Sequence, residues 1–75
     1  MKEIVLTIAK SLVDNPDEVI VTERKEGNTI FLTLHVASDD MGKVIGKQGR
    51  VAHAMRTVLK SAAVKENCRV ELEIS

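Results

Sequence analysis

Residues 30–36 place an aliphatic side chain at every second position, residues 68–74 alternate apolar and polar side chains, and about thirty residues separate the two stretches. Period-two alternation marks a strand with one buried face. A gap of that length is far too long for a hairpin turn and suits a helical crossover, the connection that joins parallel strands. In the earlier stretch Ile30, Leu32, Leu34 and Val36 form the inward stripe, with Phe31, Thr33 and His35 opposite. In the later one Cys68, Val70, Leu72 and Ile74 alternate with Arg69, Glu71 and Glu73. A further strand over 18–24 is rich in β-branched residues, and Lys25-Glu26-Gly27-Asn28 supplies the turn that makes it a hairpin with the strand over 29–37.

The remaining segments read as helices. Ile4, Val5, Ile8, Ala9, Leu12 and Val13 recur at helical spacing over 2–13, and Pro16 ends that helix by pushing Asn15 out of the helical region. Ser38 followed by Asp39 and Asp40 predicts a hydroxyl cap and two anions opening a short helix over 39–45. Gly46-Lys47-Gln48-Gly49 breaks it, and a longer helix follows over 50–65, ending near Asn67. On that longer helix Val51, Ala54, Met55, Val58, Leu59 and Ala62 are expected on the buried side, with Arg50, His53, Arg56, Thr57 and Lys60 opposite. The expected architecture is one α+β domain over 1–75 in the order α-β-β-α-α-β. Its three-stranded mixed sheet carries helices on one face.

The chain of 75 residues has a formal charge of zero, which conceals a segregation. Residues 41–65 hold Lys43, Lys47, Arg50, Arg56, Lys60 and Lys65 and no carboxylate, so that segment is +6 and the rest is −6. Ordinary exposed helices mix signs, because Glu four residues from Lys or Arg supports the helix. A one-sign cluster creates a local potential that attracts phosphate. Phe31 is the only aromatic residue, which excludes modules that hold single strands by stacking bases on aromatic platforms.

The positive pole centres on the Gly-Lys-Gln-Gly loop. Two glycines allow a tight reversal with uncovered backbone N–H groups, and the helix that begins there adds its free N–H groups and dipole to Lys47 and Arg50 as an anion site. Nucleotide-binding alternatives fail on spacing. Gly42 to Gln48 is one residue short of the P-loop pattern and has Gln where the magnesium-binding hydroxyl belongs, and no G-x-G-x-x-G occurs.

Val44-Ile45-Gly46-Lys47-Gln48-Gly49-Arg50, set between two helices and preceded by a helix and a hairpin, resembles the K homology (KH) domain in its type II topology. The resemblance covers essentially the whole chain, which looks like the small bacterial stand-alone KH-domain RNA-binding proteins of the KhpA family. Ala52 departs from the family pattern, which usually has a bulky aliphatic residue there, and a repacking through Val51 and Met55 is expected. The resemblance implies single-stranded RNA held in a groove between the two central helices, their loop and the second strand. A loop of this kind clamps about four nucleotides. By position Gly46, Lys47, Gln48 and Gly49 would meet the sugar-phosphate backbone and Val44 and Ile45 the groove floor. Lys43, Arg50 and His53 complete the candidate RNA-binding set. The family further implies post-transcriptional regulation as a homodimer or as a heterodimer with a larger multidomain KH protein of the KhpB type.

Other residues read as structural. Cys68 is expected as a small inward residue, and with His35 and His53 on different elements no metal set forms. No nucleophile and base are placed together, so neither an enzyme, a cofactor nor a small-molecule substrate is expected. Phe31 lies opposite its strand's core stripe and is either without a role or part of a self-association patch. No signal-peptide pattern and no apolar tract of membrane-spanning length is present, which points to a cytoplasmic location without membrane association. The rival to RNA binding is a protein-interaction or dimerisation module whose partner supplies most RNA contacts. Duplex DNA reading through the basic helix is disfavoured, because its face offers phosphate-seeking cations in place of base-reading side chains.

Overall fold

A computed structural model describes all residues, Met1–Ser75. Helix α1 (Lys2–Leu12) is followed by strands β1 (Ile20–Glu26) and β2 (Thr29–His35), helices α2 (Met41–Ile45) and α3 (Arg50–Lys65), and strand β3 (Arg69–Ile74). The expected order and α+β class are therefore observed. β1 pairs antiparallel with β2, with Val21 opposite Leu34, and β2 pairs parallel with β3, with Leu32 opposite Leu72. The sheet order is β1-β2-β3, so β2 is central.

Several boundaries differ from the sequence reading for local reasons. Pro16–Glu18 is a turn of 3-10 helix, which takes up the residue expected to begin β1. Pro16 suits its first position, where the missing N–H would be unpaired anyway. The hairpin loop narrows to Gly27 and Asn28, with Gly27 at φ +59°, a conformation costly for any residue with a Cβ. At the end of α3, Asn67 adopts φ +56° and Cys68 N–H donates to Ala63 O at 3.0 Å while Asn67 N–H donates to Val64 O at 3.2 Å. That pair of bonds closes the helix and uses Cys68 before β3 begins, so Cys68 is half-buried beside the strand and not within it.

The core lies between one sheet face and the helices. Val5 and Ala9 of α1, Val44 of α2, and Met55 and Leu59 of α3 meet Val21, Leu32, Leu34 and Leu72 of the sheet. The buried stripe of α3 is Ala52, Met55, Leu59 and Ala63, rotated from the expected one. Ala54 and Val58 are exposed, because the small Ala52 and Ala63 bring the helix close on that side. Val51 and Met55 do pack where the sequence reading placed them.

Ser38 is not a cap. Ser38–Asp40 forms another 3-10 turn, Ser38 makes no capping bond, and the side chain that organises the region is Asp40. Its carboxylate is fully buried and accepts bonds from Asp14 N–H at 3.2 Å, Asn15 N–H at 3.0 Å and the Asn15 side-chain amide at 3.0 Å. Lys43 Nζ, which also pairs with the Asp14 carboxylate, approaches it at 3.3 Å. Burial by itself raises the Asp40 carboxyl, but these donors outweigh it and hold the group below its ordinary value of 3.8. Lys43 is raised above 10.5, chiefly by its bond to Asp14 and against the effect of desolvation.

A depressed carboxyl contributes stability that is complete above its unfolded pKa of about 4 and is lost as pH falls through the lower folded value. Stability is therefore expected to drop in acid, and Asp40→Asn to remove that component, as read from urea midpoints between pH 7 and 2. Leu34 is completely buried, so Leu34→Ala should cost about 3 kcal/mol in the same assay.

Candidate nucleic-acid interface

The loop between α2 and α3 is set by three positive-φ residues. Gly46 sits at φ +78°, and a Cβ there would lie 2.5 Å from Val51 Cγ2 and 2.9 Å from Val51 N. Conformation and space both require glycine. Gln48 adopts φ +57°, strain of about 1–2 kcal/mol for a non-glycine residue, and its Oε1 accepts from Arg50 Nη2 at 3.3 Å. Gly49 sits at φ +75° with open space where a Cβ would project, so a ligand can come up to the backbone. Within the loop Gly46 N–H donates to Gly42 O, Gly49 N–H to Gly46 O and Arg50 N–H to Lys47 O. Lys47 and Gln48 lie beside the first turn of α3, both exposed.

Next to the loop runs a groove of about 880 Å³. Ile45, Gly49, Ala52 and Arg56 line its helical side, and Leu72 and Ile74 of β3 stand opposite. The groove continues over β3 towards Phe31 on the open sheet face. Phe31 is half-buried there, with the Arg24 guanidinium 4.7 Å from its ring centre. The second strand contributes Thr29, Phe31, Leu32 and Thr33 to the groove lining but no free edge, which corrects the expectation of a groove-side edge there. β2 is bonded on both sides, so the free strand edge beside α3 belongs to β3.

The structure disperses the sequence-derived site residues. Ile45 and Gly49 line the groove, and Lys47, Gln48 and Arg50 project from the adjoining loop and helix start, all three exposed. Gly46 shapes the loop from beneath. His53 is exposed one turn into α3. Val44 is completely buried and cannot form groove floor, since a rotation of about 100° per residue turns it into the core while Ile45 faces out. Lys43 is turned towards α1, held by Asp14 and Asp40. The sequence-derived set omitted Arg56. Its guanidinium reaches the groove and donates from Nη2 at 3.2 Å and Nε at 3.4 Å to Leu72 O. Its position at i+4 from Ala52, beside the buried stripe, was the available signal.

What the arrangement can do is bind. The first turn of α3 and exposed cations at one end suit phosphate, and an apolar wall with a strand edge suits unpaired bases. No group of three or more His, Cys, Asp or Glu side chains is arranged to hold a metal ion, and no helix is long and apolar enough to cross a membrane.

Residues 2–74 match the family described as KhpA/KhpB, KH domain. The chain is 65% identical over 74 residues to the RNA-binding protein KhpA of Clostridium acetobutylicum, covering 99% of each. It is 60% identical over 74 residues to the RNA-binding protein KhpA of Clostridium perfringens, again covering 99% of each. With the RNA-binding protein KhpA of Chlamydia trachomatis the identity is 50%, over 99% of this chain and 95% of that protein. No solved structure matches significantly.

The two loop glycines should respond differently to alanine. Gly46→Ala carries the positive-φ cost and must also displace Val51, so it should lower the melting temperature by more than about 10 °C, whereas Gly49→Ala carries only the positive-φ cost of about 1 kcal/mol, a shift of about 4–8 °C. Calorimetry of the two variants gives the comparison.

Proposed function

The chain belongs to the KhpA/KhpB family of KH domains, and from that premise we propose that it is a non-catalytic RNA-binding protein that holds single-stranded RNA along the groove between the Gly46–Gly49 loop, α3 and the edge of β3. The observation that carries this reading is the loop. Its open approach at Gly49 and its exposed Lys47 and Arg50 adjoin a groove with an apolar wall. Phosphates cross the loop, while bases turn towards Ile45, Ala52 and the β3 edge. The three relatives are each named RNA-binding protein KhpA, which supports the same ligand.

The protein acts in post-transcriptional regulation in the cytoplasm, as a homodimer or paired with a larger KhpB-type protein. An opposing observation keeps a second reading in view: Val58 is 47% and Val64 71% exposed on α3, apolar surface suited to a protein partner that supplies most RNA contacts.

In a salt series with labelled single-stranded octamers, the isolated chain should bind with an affinity that falls as salt rises. The double variant Lys47→Asp, Gln48→Asp should keep its circular dichroism spectrum and lose affinity by about a hundredfold. Undiminished affinity in that folded variant would sink the loop-centred reading, and absence of binding by the wild-type chain at low salt favours the partner-dependent one.

A further inference from the structure

The backbone bonding of β3 fixes which of its groups face the groove. Arg69 N–H donates to Asn28 O and Ser75 N–H to Leu34 O, so the odd-numbered residues of β3 turn their peptide groups towards β2. Along a strand the direction alternates, and the peptide groups of Val70, Leu72 and Ile74 therefore point out of the sheet at its free edge. A free edge offers alternating N–H and C=O groups to any planar ligand laid against it. In this chain one of those carbonyls is occupied: Leu72 O accepts from both Nε and Nη2 of Arg56.

Arg56 has no carboxylate within ion-pair distance, and Lys43 alone among the cations of 41–65 does. A guanidinium carries five N–H donors and no acceptor. With Nε and one Nη2 hydrogen directed at Leu72 O, the Nη1 pair and the outer Nη2 hydrogen stay uncommitted. Both groups line the groove. Arg56 thus replaces an acceptor on the strand edge with a fork of donors at the same point.

Resting on the RNA-binding reading above, we infer that Arg56 is a specificity-determining residue that biases the groove towards the carbonyl-bearing edges of guanine and uracil and against the N6 and N4 amine edges of adenine and cytosine. A bare Leu72 carbonyl would accept from the N6 amine of adenine or the N4 amine of cytosine. The Arg56 donors instead match guanine O6 and N7 or the uracil carbonyls, as arginine does wherever it reads such edges. An adenine placed there meets donor against donor, and must either displace the arginine from Leu72 or leave its own amine unpaired. An unmade bond of this kind disfavours a ligand by about tenfold.

The test measures fluorescence anisotropy of labelled uridine and adenosine octamers with the wild-type chain and with Arg56→Met. Arg56 is exposed and methionine is a good helix former, so the fold persists. Both octamers carry the same phosphates, so the lost charge weakens both and cancels from their ratio. The uridine-to-adenosine affinity ratio should fall by about fivefold to tenfold in Arg56→Met. An unchanged ratio, with both proteins binding, overturns the role of Arg56 and leaves RNA binding by the groove standing. Failure of the wild-type chain to bind either octamer overturns the reading beneath it as well.

Discussion

With no water to solvate it, the Asp40 carboxylate has to be satisfied by donors from a distant part of the chain. It is satisfied by two peptide N–H groups and a side-chain amide from the segment that leaves α1. Removing any of these donors leaves a buried charge short of partners, a state far costlier than the net value of the bonds. The consequence is positional. The residue before α2 is tied to the residues after α1, and Lys43, one turn on, fastens the same two segments from the solvent side. The five-residue α2 is too short to hold its place by its own hydrogen bonds. Its anchored start and buried Val44 define where it ends, and the loop and groove are built from that end.

The contribution of charge to the site is smaller and better aimed than the sequence total suggests. Of the six cations between residues 41 and 65, Lys43 is neutralised within the fold and Arg56 is engaged with a carbonyl. Lys47 and Arg50 stand at the loop, where the start of α3 already favours anions. Five of the six cations of that segment therefore keep their charge without an ion-pair partner, and two of them adjoin the N-terminal turn of α3.

How much of this was legible from residues alone depended on whether the signal was local. The alternation of Ile30, Leu32 and Leu34 fixes a strand with one buried face, and the thirty-residue gap to the next such stretch fixes a parallel crossover, as the pairing of Leu32 with Leu72 shows. The Gly46 and Gly49 pair was equally legible, because positive φ is a property of single residues. Tertiary choices were not. Asp40 reads as a helix-start anion, and only the packing of α1 against α2 turns it into a buried anchor. Val44 and Ile45 are both apolar and adjacent, and the position of the sheet decides which faces the groove. The central place of β2 follows from strand order, so its lack of a free edge could not be seen in its own residues.

The parallel pairing of β2 with β3 also bears on the order in which binding capacity arises. Leu32 and Leu72 are separated by more than half the chain, whereas the β1–β2 hairpin and the two central helices are assembled from near neighbours. Contacts so distant in sequence form late, because the entropy of closing the intervening segment is lost before the pairing repays it. A chain caught before that step has its glycine loop and cations in place but only one wall of the groove. The second wall of the groove is therefore the part of the structure that depends most on long-range closure.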